Sequence, residues 1–457
     1  MENALNSGDT AWMLVSASLV LLMTPGLAFF YGGMVRAKSV LNMMMMSFGA
    51  IGVVGVVYVL WGYSMSYGPT SIGGLFANPF EWFGLNGTIT DSAGEYILTG
   101  SYPAIVNVAF QITFAIITVA LISGAIADRA RFGTWLVFAG IWVTLAYFPL
   151  AHMVWGGGLL SGSVDGLAAK LFGVTGTGED AAAAVAPIDF AGGTVVHINA
   201  GMAALVLALV VGRRKGFGRI AMRPHNLPFV MLGAALLWFG WFGFNAGSAL
   251  AANGTAGLAW INTTAATCAA MLGWLLTEKV RDGHATSLGA ASGVVAGLVA
   301  ITPAAGALSP LGSLALGLVA GALCAVAVGL KYKLGYDDSL DVVGVHLVAG
   351  LWGTVAIGLL GTDTGLFYGG GIQQLVVQAL IALAAVALSG LVTAVVAIGL
   401  RATLGWRVSE DDETAGIDQN VHAETGYDWG SLGASIGRGA GSAAPAATPA
   451  IPKEVNA

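Results

Sequence analysis

Charge is what this 457-residue chain has least of: 9% of its residues are Asp, Glu, Lys or Arg, against 56% hydrophobic. A soluble domain carries about 25% charged residues. So little charge cannot cover a water-facing surface, which excludes a soluble globular protein and leaves a polytopic membrane protein. Cysteine is scarce too. Cys268 and Cys324 both fall inside apolar runs; they exclude a disulfide framework and read as small packing residues. No secretory signal is visible, because Met1–Asp9 lacks a basic segment and no small-residue cleavage site follows the first apolar run. The net charge of −6 says little, since the acids cluster in loops and tail. Glycine, in contrast, is abundant at 68 residues, and small residues let transmembrane helices approach closely.

A spanning helix needs roughly 20 mostly apolar residues. Eleven stretches qualify: 11–32, 41–65, 104–127, 133–154, 191–212, 228–248, 257–277, 286–303, 311–331, 341–360 and 374–400. The expected class is therefore an all-α polytopic membrane protein with eleven transmembrane helices. Lys and Arg concentrate in cytoplasmic loops. Here they follow the odd-numbered stretches, and of 18 basic residues only Lys170 lies in a loop on the other side. That places the amino terminus outside and the carboxyl terminus inside. Stretches 1–5 and 6–10 then form two inverted repeats of five, the arrangement that puts a transporter's site at the repeat interface, with the eleventh helix added. Two outer loops are long, 68–103 and 156–188, and the second carries an Ala/Gly-rich part that reads as a surface elaboration. The chain divides into a transmembrane domain, 1–407, and a tail, 408–457. Residues 408–430 are expected to be ordered, and 431–457, in which Gly439–Pro452 is rich in Ala, Gly, Ser and Pro, disordered.

Two histidines lie within apolar runs. His197 sits in the fifth stretch and His346 in the tenth, the last helix of each half. An ionisable residue inside a bilayer is costly and marks a pathway when it is present. The aromatic residues fall into a pattern around them. Phe110 and Phe114 are four apart, and Trp241, Phe244, Asn245 and Ser248 share one face. Trp155 ends the fourth stretch. The expected layering puts Trp155, Phe114 and Ser248 at the outer level, with Phe110 and Phe244 one layer deeper. Aromatic faces attract cations and a hydroxyl can accept a hydrogen bond from one, so this is a vestibule suited to a small cation. Each residue also has a plainer reading: Trp155 as an interfacial anchor, the phenylalanines as packing, Ser248 bonded to its own helix. His152, His225 and His284 lie at helix ends or in loops and receive no functional role. Asp189 and Asp341 read as N-caps of the fifth and tenth helices, with Asp189 also positioning the outer site.

The strings Thr24–Gly33, Ala151–Gly158, Asp189–Gly201, Trp241–Ser248 and Gly344-Val345-His346 resemble the ammonium transporter family (Amt/Mep/Rh), of the bacterial Amt type. The resemblance spans helices 1 to 10. It implies a homotrimer in the cell membrane with one pore per subunit, conducting ammonium or methylammonium, with no cofactor, no metal and no enzymatic site. Carried over by position, the recruitment site is Phe114, Trp155 and Ser248. The stacked gate is Phe110 and Phe244, and the twin pore histidines are His197 and His346. Asp189 and Trp241 give structural support, and Leu27, Tyr31, Ile117, Leu121, Leu237, Trp241 and Val342 line the pore. In the tail, Gly416-Ile417-Asp418 with His422, Glu424 and Tyr427 resembles the family's ordered cytoplasmic segment, which implies a PII signalling protein as partner.

Two other functions compete. His197 and His346 are also the pattern of a bis-histidine haem in a membrane redox protein, although the aromatic vestibule would then go unused. The chain is alternatively an ammonium sensor, which would need a partner protein because the tail contains no recognisable signalling domain.

Overall fold

The computed structural model describes residues 4–427, so the stretch expected to be disordered, and residues 428–430, lie outside the described residues. The structure is a helical bundle. Its long segments are α1 (Ser7–Met34), α2 (Ala37–Tyr67), α3 (Ala104–Ile126), α4 (Phe132–Trp155), α5 (Gly193–Val211), α6 (Leu227–Ala249), α7 (Gly254–Asp282), α8 (Ser287–Ile301), α9 (Pro310–Leu334), α10 (Val343–Leu360) and α11 (Gln373–Thr403). Among the described residues, nine of these are long and apolar enough to cross a membrane. The other two differ for separate reasons. α7 is long, but Asn262, Thr263, Thr264 and Thr267 lower the hydropathy of its middle, and α8 is apolar but only 15 residues long.

Five of the eleven starts follow local capping chemistry. The side chains of Asn6, Asn226, Asn253, Thr286 and Ser309 accept from backbone N–H groups in the first turns of α1, α6, α7, α8 and α9. Packing then follows a two-fold pattern. α1 meets α6 and α5 meets α10. Contacts within one half recur in the other: α1–α3 with α6–α8, α2–α4 with α7–α9, α3–α5 with α8–α10. α11 lies across α4, α5 and α10.

Glycines permit the tightest crossings. A Cβ at Gly233 would stand 2.3 Å from the backbone N of Phe30, and one at Gly317 would stand 2.1 Å from the carbonyl of Ala266. No side chain fits there without moving a helix axis. Such contacts replace the hydrophobic drive that helices lack within lipid.

The loops at the Trp155 end are folded. Strands β1 (Ser71–Ile72) and β2 (Phe76–Ala77) form a hairpin, and two further hairpins pair Leu98–Thr99 with Tyr102–Pro103 and Val174–Thr175 with Ala182–Ala183. The last is mostly exposed, but buried Ala183 packs with Ala168, Ala169 and Val377 in a small apolar cluster against α11.

Gly233→Val is expected to destabilise the bundle by about 1–3 kcal/mol or more, the cost of overpacking. Gly52→Val, where nothing lies within 4 Å of the added carbon, should be near neutral. Thermal unfolding in detergent compares the two.

Candidate functional site: an apolar cavity between an aromatic lid and a histidine pair

The site is built from the two helix starts at the centre of the bundle. Each begins with π-helical turns, Gly193–Ile198 in α5 and Val343–Leu347 in α10, and each of those turns carries its histidine. Single π-turns of this kind are common at functional sites. The Asp189 carboxylate accepts from Gly192 N (2.9 Å), Thr194 N (3.0 Å) and Val195 N (3.1 Å), satisfying the free donors of the α5 start. Burial pushes this carboxyl above its ordinary value, and those N–H groups pull it back. Gly192 adopts φ 112°, where a Cβ would stand 2.6 Å from Val196 Cγ2, so glycine is required.

At α10 the expected cap is wrong. Asp341 has φ 65° and binds Lys331 Nζ at 2.6 Å. The carboxylate at the helix start is Asp338, which accepts from Val343 N at 2.7 Å. The signal was available: Asp338 precedes His346 by the same eight residues that separate Asp189 from His197, and Gly201 and Gly350 each follow their histidine by four. Those glycines let α5 and α10 cross. A Cβ at Gly201 would lie 2.5 Å from Leu347 N, and one at Gly350 would lie 3.2 Å from His197 Cβ.

The crossing brings the imidazoles together. His346 Nδ1 lies 3.3 Å from His197 Nδ1, and both rings are buried. One ring nitrogen of this pair donates and the other accepts. His197 stacks on Trp241 at 5.5 Å and 14°, and the Trp241 indole is held by donating to Thr302 Oγ1 at 2.8 Å. His197 Nε2 is buried and has no protein partner among the described residues. It belongs to a narrow cavity whose lining includes Leu27, Ile117, Leu121, Leu237, Trp241, Phe244 and both histidines. Tyr31 and Val342, the other two expected lining residues, are buried nearby: Tyr31 donates to Leu121 O at 2.9 Å, and both lie against Gly124.

Above the cavity, Phe114 and Phe244 stack at 4.1 Å and 12°. This corrects the expected gate of Phe110 with Phe244. α3 runs from Ala104 towards the basic loops, so Phe110 lies one turn nearer the Trp155 end than Phe114 does. There Phe110 packs edge-on against Phe114 at 4.8 Å and lies close to Gly247. On α6, which runs the other way, Phe244 is one turn below Ser248. The level of Phe244 is therefore that of Phe114.

Trp155 is perpendicular to Phe114 at 6.1 Å and donates to Asp189 O at 2.8 Å. Ser248 donates to Phe244 O at 2.8 Å. This is the plain own-helix bond, and it leaves the hydroxyl's lone pairs free to accept. Trp155 and Ser248 are partly exposed, whereas Phe110, Phe114 and Phe244 are buried.

At the basic end, residues read only as topology signals prove to be buried. Arg214 pairs with Asp337 at 2.8 Å and with Asp128 at 3.3 Å, and Arg129 donates to Asp337 O at 2.7 Å. Burial draws the Arg129 guanidinium down to about 10. The tail docks on this end. Asp418 accepts from Leu41 N and Asn42 N at 3.0 and 2.8 Å. Buried Glu413 accepts from Lys215 N at 2.6 Å and pairs with Arg407. His422 meets Asn42 Oδ1 at 3.0 Å, and Tyr427 meets His225 Nε2 at 2.8 Å. Gly416 has φ 119°, and a Cβ there would lie 2.7 Å from Lys38 Cβ.

Fold and site together define a polytopic membrane protein with a narrow, mostly apolar cavity beside stacked aromatic rings. Residues 11–427 match the Ammonium Transporter Family, and the chain belongs to that family. It is 57% identical over 454 residues to an ammonium transporter of Mycobacterium tuberculosis, covering 94% of this chain and 92% of the relative. It is 44% identical to one of Bacillus subtilis, with coverages of 92% and 98%. Among solved structures it resembles Candida albicans Mep2, with a TM-score of 0.78, 30% identity and coverage of 89% and 88%. It also resembles a sensor Amt protein, with a TM-score of 0.79, 28% identity and coverage of 92% and 99%.

Trp155→Leu should weaken apparent affinity for methylammonium by about 2- to 30-fold, the range of a cation–ring contact, and Ser248→Ala by about 10- to 150-fold, the range of a hydrogen bond to a charged group. Uptake kinetics with correctly inserted protein measure it. Gly416→Asp should undock residues 410–427, because it combines a left-handed φ with a clash. Faster tail cleavage in limited proteolysis and lower transport are the expected readouts.

Proposed function

We propose that this protein moves ammonium across the cytoplasmic membrane by separating it into ammonia and a proton. The observation that carries the reading is the 3.3 Å contact of His197 and His346 in a cavity with otherwise apolar walls. Phe114, Trp155 and Ser248 receive the cation, with Phe110 on the outer edge of the cage. The Phe114–Phe244 stack is the gate. Carrying an intact ammonium ion past it would forfeit hydration with no paired charge to replace it, a cost of many kcal/mol. Neutral ammonia escapes most of that cost. The ion therefore gives its proton to an acceptor nitrogen of the pair. A neutral imidazole has one donor and one acceptor nitrogen, so the shared Nδ1 contact relays the proton while ammonia moves along the cavity. Potassium is similar in size but has no proton to give.

A haem between the two histidines is disfavoured by the same distance. Nitrogens 3.3 Å apart and in direct contact leave no space for a macrocycle between them. The sensor reading draws support from one structural relative, the sensor Amt protein. It leaves the aromatic lid, the cavity and the histidine pair without a task in this chain.

The wider proposal has eleven spans, with the amino terminus outside and the tail inside. It makes residues 1–407 the transport domain and 408–457 a cytoplasmic tail. The protein is a homotrimer whose cytoplasmic face binds a PII signalling protein. The placement of Lys and Arg loops and the family membership support it.

Replacing both His197 and His346 with apolar residues should leave assembled protein and abolish ammonium-driven current in proteoliposomes. The wild type should give no current with potassium. Full ammonium current in the double variant would reject the relay, and an equal potassium current would reject deprotonation as the basis of selectivity. Truncation after Arg407 should alter flux or its regulation in cells, and unchanged behaviour would count against a regulatory tail.

A further inference from the structure

His152 is fully buried one turn before Trp155 at the end of α4, and nothing in the transport reading uses it. Its two ring nitrogens are engaged by the last turn of α2 and by the hairpin that follows it. Nδ1 lies 3.2 Å from the carbonyl of Ser66, and Nε2 lies 2.8 Å from Ser71 Oγ, on strand β1. A carbonyl only accepts, so Nδ1 carries the proton and Nε2 of the neutral ring accepts from the Ser71 hydroxyl.

The same hairpin also grips the chain just after Trp155. Leu159 N donates to Gly74 O at 2.8 Å. A Cβ at Gly156 would lie 2.2 Å from Ser66 O, and one at Gly158 would lie 2.5 Å from Gly74 O. The His152 carbonyl meanwhile accepts from Gly156 N and Gly158 N, both at 3.0 Å, closing the turn that ends α4. Trp155 is therefore fixed at two points. Its indole is tied to Asp189 O, and its backbone is held in a clamp formed by His152 and the β1–β2 hairpin.

We propose that His152 and Ser71 are positioning residues for Trp155, setting the distance of its ring from Phe114 and Ser248 and so the affinity of the recruitment site. The inference rests on the reading of Trp155 as part of that site. Through this clamp the 68–103 loop acts on affinity without touching the cation. Lids and cages of this kind lose function when their supporting contacts are loosened by a fraction of an ångström.

The test uses Ser71→Ala, which removes one hydroxyl at an exposed position and leaves the buried imidazole in place. In methylammonium uptake by cells or proteoliposomes, Ser71→Ala should raise KM about 3- to 10-fold with maximal rate unchanged, and Ser71→Thr, which keeps the hydroxyl, should restore wild-type KM. In a Trp155→Leu background the Ser71→Ala effect should vanish, because coupled residues are non-additive. An unchanged KM in Ser71→Ala, a fall in maximal rate alone, or the same KM factor in the Trp155→Leu background would each overturn the proposal. The two readings fail separately. If Trp155→Leu itself leaves KM unchanged, the recruitment site is misassigned. If Trp155→Leu raises KM and Ser71→Ala does not, only the clamp is rejected.

Discussion

The contact on which the rest of this structure depends is the crossing of α5 and α10 at Gly201 and Gly350. Two helix axes this close leave no room for a side chain at Gly201 and only a tight fit at Gly350, and the histidine one turn earlier on each helix is carried into the gap. The result is two buried imidazoles that hydrogen-bond to one another, which is the least costly way to keep two polar rings in an apolar interior. The π-turns serve the same end, since both histidines lie on the turns that open α5 and α10. Buried carboxylates, Asp189 and Asp338, complete each half by accepting from backbone groups that would otherwise go unsatisfied inside the bundle.

The aromatic lid is a second consequence of helix direction. α3 and α6 run antiparallel past one another, so rings one turn from each helix's outer site end up at heights that depend on which way the chain runs. Phe114 is shared by two layers. It faces Trp155 edge-on and Phe244 face-on, so the Trp155 cluster and the Phe244 stack have one ring in common. A change at Phe114 therefore disturbs both layers at once.

The basic end is organised by charge rather than by rings. Arg129 and Arg214 are withdrawn from solvent, and Asp128 and Asp337 with several backbone carbonyls compensate them. Removing one partner from such a group leaves an uncompensated buried charge, which is far more destabilising than losing a surface ion pair. The tail reaches this network through Arg36, Lys215, Arg407 and Glu413. Tail position and loop geometry are for that reason mechanically linked.

Composition pointed to a membrane protein, because so few charges cannot cover a water-facing surface, and the length of the apolar runs made its spans helical. Run lengths located the long segments to within a few residues. The two buried histidines stood out by the cost of placing them in lipid, and their pairing across two halves followed from position. Other features were decided only by tertiary structure. Whether Phe110 or Phe114 meets Phe244 depends on the relative height of two antiparallel helices, which helical spacing does not specify. For the start of α10 the repeated Asp-to-His spacing pointed to Asp338, while the positive φ of Asp341 and its pairing with Lys331 on a different helix were visible only in the fold. The roles of Arg129 and Arg214 were hidden because a basic loop residue reads the same in sequence whether it faces water or a buried carboxylate. His152 gave no signal, since both partners of its ring lie more than 80 positions earlier in the chain. In each case sequence supplied a residue with the right chemistry. The fold decided what that residue touches, because contacts across helices depend on axial offset and crossing geometry that no local pattern encodes.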